Sequence, residues 1–155
     1  MDAKVTTVLF NHNYDILYKR KNIYDVEKLT HEEYYVNGST ALLDAIGNTI
    51  VSMEREISNK VLFVITTDGL ENSSIEFSKN QIKKLIKNHN WEFIFLGADI
   101  DAYSEASNIG IGEAHTALFN KSSEGINDMF KSVEKACNEI KIHNKLDSSW
   151  KEDLK

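Results

Sequence analysis

Apolar and polar residues follow two different periods along this chain. Residues 4–10 (KVTTVLF) and 14–18 (YDILY) are rich in β-branched and aromatic residues. Because only a short polar link separates them, they predict an antiparallel hairpin. Residues 60–67 (KVLFVITT) and 91–97 (WEFIFLG) are almost continuously apolar, which is typical of strands that are covered on both faces of a parallel sheet. Residues 115–119 (HTALF) predict a further strand at an edge.

Helical spacing marks the segments between these strands. Apolar residues recur every three or four positions over 40–57, 78–89 and Ser123 to about His143, and a short helix is predicted over 102–107. Gly47 lies inside the first of these helices, where glycine costs about 1 kcal/mol relative to alanine. We interpret this glycine as a sign of close packing against the sheet.

The order of the elements predicts an α/β fold. Strands that alternate with helices favour three layers around a mostly parallel sheet, here with one antiparallel edge strand. A chain of 155 residues is long enough for one domain with a core of its own. We therefore expect a single domain over residues 1–155, in which residues 146–155 form a polar tail that frays.

The composition is that of an acidic chain, and it argues against several functional classes. The net charge of −6 argues against nucleic-acid binding, which needs a basic face. No apolar run approaches the roughly 18 residues of a membrane span. The chain has one cysteine, so it forms no internal disulfide, which fits a reducing cytoplasm. We expect a cytoplasmic protein that binds neither nucleic acid nor membranes.

Hydroxyl and carboxylate side chains gather where the predicted parallel strands end. They are Ser39, Thr40, Asp68, Asp99 and Asp101. Such oxygens suit magnesium, manganese or calcium rather than zinc. Each residue also has an ordinary structural explanation. Ser39 or Thr40 can cap the helix that follows, Asp68 with Gly69 can form a turn, and Asp99 and Asp101 can stabilise the start of the helix at 102.

Three segments that follow the hairpin resemble the von Willebrand factor A-like domain, including its bacterial and phage versions. They are GSTALLDAI (38–46), VLFVITTDG (61–69) and WEFIFLGADID (91–101). The resemblance implies a Rossmann-like fold with a metal-ion-dependent adhesion site, in which Thr40 and Asp68 bind magnesium and a partner protein supplies a carboxylate. It implies protein binding rather than catalysis. The recognition face would include Gly38, Ser39, Gly69, Asp99 and Asp101.

The chain departs from that family at the metal site. The family's Asp-x-Ser-x-Ser loop, with its first strand and helix, has no counterpart here, so we expect an N-terminally truncated domain. The missing strand would be central and would leave two open edges, which predicts a homo-oligomer joined through them. With only Thr40 and Asp68 as ligands, we expect weak magnesium binding. Two alternatives remain: a metal-dependent hydrolase that uses Asp68, Asp99 and Asp101, and a structural fragment that acts only in an assembly.

Overall fold

A computed structural model describes residues 3–11, 13–25, 40–55, 60–98 and 100–154. The strands of the described part are β1 (Lys4–Phe10), β2 (Tyr14–Asn22), β3 (Leu62–Thr67), β4 (Glu92–Gly97) and β5 (Thr116–Leu118). The helices are α1 (Leu42–Met53), α2 (Lys79–Asn88), α3 (Ala102–Asn108) and α4 (Ser123–His143). Short 3₁₀ turns lie at Ile23–Asp25, Glu113–His115 and Ser148–Lys151.

The strands form two sheets. β3, β4 and β5 form a parallel sheet with β4 in the middle. β1 and β2 form an antiparallel hairpin that makes a separate sheet. The mixed α/β class and the parallel core are thus confirmed, but the hairpin is not an edge of the parallel sheet, because no ladder joins β1 to β3 within the described residues.

The hairpin is longer than its sequence indicated. We expected the second strand to end at residue 18, yet β2 continues to Asn22. The pairing of the two strands shifts around Thr7, and Arg20 takes a positive φ of 54°. The backbone N–H of Arg20 donates to the hydroxyl oxygen of Thr6 at 3.0 Å. This irregularity is a bulge, which lets strands continue past a break in the ladder.

Helices cover both faces of the parallel sheet. On one face, α1, α2 and α3 pack their apolar side chains against Ile65, Phe93 and Phe95. On the other face, α4 packs Met129 and neighbouring residues against Ile94 and Leu96. Since Phe95, Ile94 and Leu96 are all completely buried, β4 is the centre of the core. Among the described residues, no helix has both the length and the apolar character needed to cross a membrane.

The end of the chain is packed through Trp150, contrary to our expectation of a fraying tail over 146–155. The Trp150 side chain is completely buried beside α4, and its Nε1 donates to the carbonyl of Ala114 at 2.9 Å. Lys151 Nζ donates to the carbonyls of Glu113 and Thr116, each at 2.7 Å. One large aromatic residue therefore holds a segment that is otherwise polar, because burying an indole removes much apolar surface from water.

Gly47 marks close packing, as its sequence position indicated, but the neighbour is not a strand. A Cβ atom built at Gly47 would lie 2.6 Å from ring atoms of Phe77. Phe77 belongs to the loop between β3 and α2 and packs against the same apolar cluster as α1. A glycine at position 47 thus lets this loop lie directly on α1.

Candidate functional site

Thr40 and Gly69 lie against each other at the carboxyl end of β3. A Cβ atom at Gly69 would be 2.8 Å from the Thr40 hydroxyl oxygen, so only glycine permits this approach without a shift. The backbone of Thr40 is bonded to the same loop: its N–H donates to Asn72 Oδ1 at 2.9 Å. Its carbonyl accepts from the N–H groups of Asn72 and Ser73, at 3.0 and 3.2 Å. Thr40 therefore lies beside the Asp68-Gly69 turn, where it faces Gly69.

Asp68 is half-buried beside a lysine. Its Oδ2 lies 3.7 Å from Lys121 Nζ, just before α4 begins. An exposed ion pair of this length adds little stability. However, the Lys121 ammonium lies beside the Asp68 carboxylate, which a metal ion at this site would need as a ligand.

The loop of residues 68–78, which we name the β3–α2 loop, supplies the cap of α1. The N-cap residue is Ala41, whose side chain accepts no hydrogen bond. Instead, the Leu43 N–H donates to Glu71 Oε2 at 3.0 Å, and the Asp44 N–H donates to Ser74 Oγ at 2.9 Å. Because the first N–H groups of a helix have no partner within it, these two bonds satisfy donors that would otherwise be free. The carboxylate of Glu71 also lies at the positive end of the helix dipole.

This arrangement corrects the interpretation of Thr40 as the helix cap. The cap position falls at Ala41, one residue later, because α1 begins at Leu42 rather than at 40. The other candidate, Ser39, lies outside the described residues, as do Gly38 and Asp99.

Glu71 also fixes its own loop. Its Oε1 accepts from the backbone N–H groups of Ser73 and Ser74, at 3.2 and 2.7 Å. Its Oε2 accepts from the Ser74 hydroxyl at 2.8 Å. One carboxylate thus joins the loop to the helix start, with charge-assisted bonds that are stronger than neutral ones.

Asp44 makes the reciprocal connection from the helix to the loop. Its Oδ2 accepts from the Ile75 N–H at 2.9 Å. Its Oδ1 accepts from the N–H groups of Glu76 and Phe77, each at 2.9 Å. Since the helix caps the loop and the loop caps the helix, the backbone of residues 71–77 is held at both ends.

Two large apolar side chains of the β3–α2 loop are exposed to solvent. Leu70 is 52% exposed and Ile75 is 92% exposed. An isolated exposed apolar residue is ordinary on a protein surface. Here the two belong to one loop that is tied down on either side of Ile75.

Asp101 has a structural role in the described residues. It is the N-cap of α3, and its Oδ1 accepts from the Ser104 N–H at 3.1 Å. Because β3 and β4 are parallel, their carboxyl ends lie at the same end of the sheet. Asp68 and Asp101, which follow these strands, therefore lie at that end. Among the described residues, however, no three His, Cys, Asp or Glu side chains lie close enough to hold a metal ion.

The metal-binding oxygens at this end of the sheet do not fit a dedicated magnesium site. Thr40 offers one neutral oxygen, which faces Gly69, and Asp68 offers one carboxylate beside the Lys121 ammonium. Magnesium sites in proteins usually combine one or two carboxylates with several waters and substrate phosphates in octahedral geometry. The single carboxylate of Asp68, which already faces the Lys121 ammonium, does not supply the ligands that such a site needs.

Asp44 and Glu71 were not among the residues selected from the sequence. Asp44 occupies the first turn of a helix, where an acidic residue is common, and Glu71 lies in a polar stretch (ENSS) typical of exposed loops. One signal was present in the sequence: Ala41 and Leu42 begin the apolar run without a capping side chain of their own. A helix that starts in this way needs partners from elsewhere in the chain.

Comparison with known proteins does not extend this description. No family model, no curated protein and no solved structure matches the chain. Its function must therefore be inferred from its own residues.

Proposed function

We propose that this chain is a protein-binding module of the von Willebrand A-like type, rather than an enzyme. Its recognition face consists of the β3–α2 loop, Thr40 and the loop that follows β4. The observation that carries the proposal is Ile75, which is 92% exposed on a backbone that Asp44 and Glu71 fix to α1.

The fixed backbone favours binding for an entropic reason. A flexible loop loses conformational freedom when a partner orders it, and this loss weakens the complex. In the β3–α2 loop, the hydrogen bonds to Asp44 and Glu71 hold the backbone before any partner arrives. Exposed apolar side chains on such a surface can enter a pocket of the partner, as the anchor residues of interfaces do.

The charges around the loop indicate the chemistry of the partner. Asp68, Glu71 and Glu76 belong to the same loop as the two exposed apolar residues, and the whole chain carries a net charge of −6. Complementary charges guide two proteins into register and raise their association rate. We therefore expect a partner with an apolar pocket that is bordered by lysine or arginine.

Magnesium has a minor place in this proposal. Thr40 and Asp68 together supply so few ligands that we expect a dissociation constant of about millimolar or weaker. Calorimetric titration with magnesium and with manganese measures this directly. Submicromolar affinity would contradict our assignment of an incomplete site.

An affinity capture with matched variants tests the proposed face. The immobilised chain is compared with Ile75→Asp and with Ile142→Asp, whose parent residue is 72% exposed on α4. We expect wild type and Ile142→Asp to retain the same protein from an extract of the source cell, and Ile75→Asp to lose it. Circular dichroism checks that both variants are folded.

Two results would count against the proposed function. One is capture of the same proteins by all three chains, which would place the contact elsewhere. The other is binding that is unchanged in Ile75→Asp, Thr40→Ala and Asp68→Ala, which is the outcome expected of a purely structural component.

A further inference from the structure

A groove opens at the amino end of β4, at the end of the parallel sheet opposite to the β3–α2 loop. Its walls come from residues 83–87 of α2, residues 91–93 at the start of β4, and residues 110–115 before β5. We name it the α2–β4 groove. Its volume is about 290 Å³, near the lower end of the sizes usual for small-molecule sites. The groove therefore has room for one small ligand.

The inner wall of the α2–β4 groove is apolar and aromatic. Ile86, Phe93 and Ile111 line it and are all buried. Trp91 also lines the groove and is half-buried, and its ring stacks on that of Phe93 with 6.1 Å between the centroids. A planar ring that enters the groove would lie against this wall. Such a contact removes apolar surface from water and adds aromatic interactions, so it favours binding.

Two lysine ammonium groups border the groove. Lys83 and Lys87 lie one turn apart on the same side of α2, and both are exposed. Neither forms an ion pair with any residue that the structure describes. Helix α2 contains four lysines and no acidic residue, whereas the whole chain has a net charge of −6. The groove therefore lies on a basic part of an acidic protein, where the local field attracts anions.

One acidic side chain limits the charge of the ligand. Glu92 lines the groove, and its Oε2 lies 3.9 Å from Nε2 of His115. With His115 neutral, two ammonium groups and one carboxylate leave a single net positive charge on the lining. A ligand with one negative charge balances this lining, whereas a second negative charge on the ligand would be repelled by Glu92. A carboxylate therefore fits the groove better than a doubly charged phosphate.

The glycines before β5 leave space at the mouth of the groove. A Cβ atom built at Gly112 would meet no atom within 4 Å, and the Gly112 N–H donates to no backbone carbonyl of the described chain. A Cβ atom at Gly110 would be 3.3 Å from Lys83 Cγ, so the Lys83 side chain lies beside this loop. The Lys83 ammonium and the Gly112 N–H are thus two donors that suit an anionic oxygen.

We propose that the α2–β4 groove binds a small aromatic monocarboxylate, with its ring against Trp91 and its carboxylate at Lys83 and Lys87. This site is separate from the recognition face proposed above, because it lies at the other end of the sheet. An exposed ion pair adds little on its own, so the ring and the charge are both needed. The ring contributes apolar contact, and the carboxylate selects the ligand from neutral aromatic molecules.

Three probes separate the contribution of the ring from that of the charge. Naphthalene-2-carboxylate has both, naphthalene-2-carboxamide has the ring without the charge, and acetate has the charge without the ring. NMR titration of the full chain follows the amides of Gly110 and Gly112 and the indole N–H of Trp91. We expect saturable shifts of all three signals with the naphthalene carboxylate. The amide should bind about tenfold more weakly or less, and acetate should cause no saturable shift.

Two double variants locate the carboxylate within the groove. Lys83→Gln/Lys87→Gln removes both proposed charge partners. Lys79→Gln/Lys84→Gln is the matched control, because it removes the same charge from two lysines that are also exposed on α2 but do not line the groove. We expect the first variant to weaken binding of the naphthalene carboxylate about tenfold and the control to bind as wild type. Circular dichroism checks that both variants are folded.

Several results of these titrations would overturn the proposal. Equal affinity for the carboxylate and the amide would show that charge has no part in binding, and equal affinity for acetate would show that the ring has none. An equal loss of affinity in the two double variants would indicate a general attraction to the basic helix rather than a site. Absence of binding at millimolar naphthalene carboxylate would also contradict it.

Discussion

The close contact between Gly47 and Phe77 predicts that Gly47→Ala lowers the free energy of unfolding. In Gly47→Ala, the new methyl group would lie 2.6–2.7 Å from three atoms of the Phe77 ring, about 1 Å inside the usual carbon–carbon separation. The ring cannot retreat freely, because the Phe77 N–H is bonded to Asp44 at 2.9 Å and the ring packs on the core.

Two opposing terms set the expected magnitude. Replacing glycine by alanine inside a helix stabilises it by about 1 kcal/mol. Overpacking a well-filled site costs about 1 to 3 kcal/mol. We therefore expect Gly47→Ala to lower the free energy of unfolding by up to about 2 kcal/mol, although alanine is the better helix former.

Removing the ring should reverse the effect. In a Phe77→Ala background the methyl group has space, and Gly47→Ala should then stabilise the protein by about 1 kcal/mol. Urea unfolding of the four chains measures this double-mutant cycle, provided that the slope m is the same for all. If Gly47→Ala had the same effect in both backgrounds, the close contact would not determine stability and our reasoning would fail.

Three further predictions concern single carboxylate or thiol groups. Asp44→Ala removes the acceptor of three N–H bonds. Urea unfolding should show that the free energy of unfolding falls by about 2 kcal/mol, a value limited by the bonds that the exposed amides can make to water. Limited proteolysis should cut this variant within residues 68–78. Burial, and secondly the charge of Glu134, raise the pKa of the Cys137 thiol, so iodoacetamide at pH 8 should modify the folded chain more slowly than the chain in urea; equal rates would contradict this. Bonds from the Ser149 side chain and backbone lower the pKa of Asp147 below 3.8, so its stabilising effect should be complete above that pH and lost as the pH falls through the lower, folded-state value. In that range, the stability of Asp147→Asn should depend less on pH than that of wild type.

The bounds of two elements were predictable from the sequence. The bounds expected for α4 agree with Ser123–His143, because its apolar residues keep helical spacing and Ser122 caps its start with a bond to the Gly125 N–H. The bounds of β1 were also confirmed. In both elements, the information lies within the segment itself, so tertiary contacts were not needed to locate it.

The prediction for β3 was correct for the strand and for the packing on both of its faces. Its continuous apolar sequence indicated a strand with both faces covered, and within the described residues it pairs with β4 on one side. Hydrophobic pattern reports how much of a strand is suited to burial, but it does not identify which segment covers it. Trp150 illustrates the converse, since one residue in a polar stretch determines the packing of the chain end.

Asp44 and Glu71, the two carboxylates that sequence analysis did not select, hold the β3–α2 loop on α1 by hydrogen bonds. Glu71 and the helix start it caps are 28 residues apart, and no local periodicity reports a contact of that kind. Their charges are balanced by backbone N–H groups, and that of Asp68 by Lys121. A metal ion can join the parts of a loop by binding its carboxylates, whereas here backbone N–H groups and Lys121 contact the carboxylates. We therefore expect the β3–α2 loop to keep its conformation, and any binding through Ile75 to keep its strength, when EDTA is added.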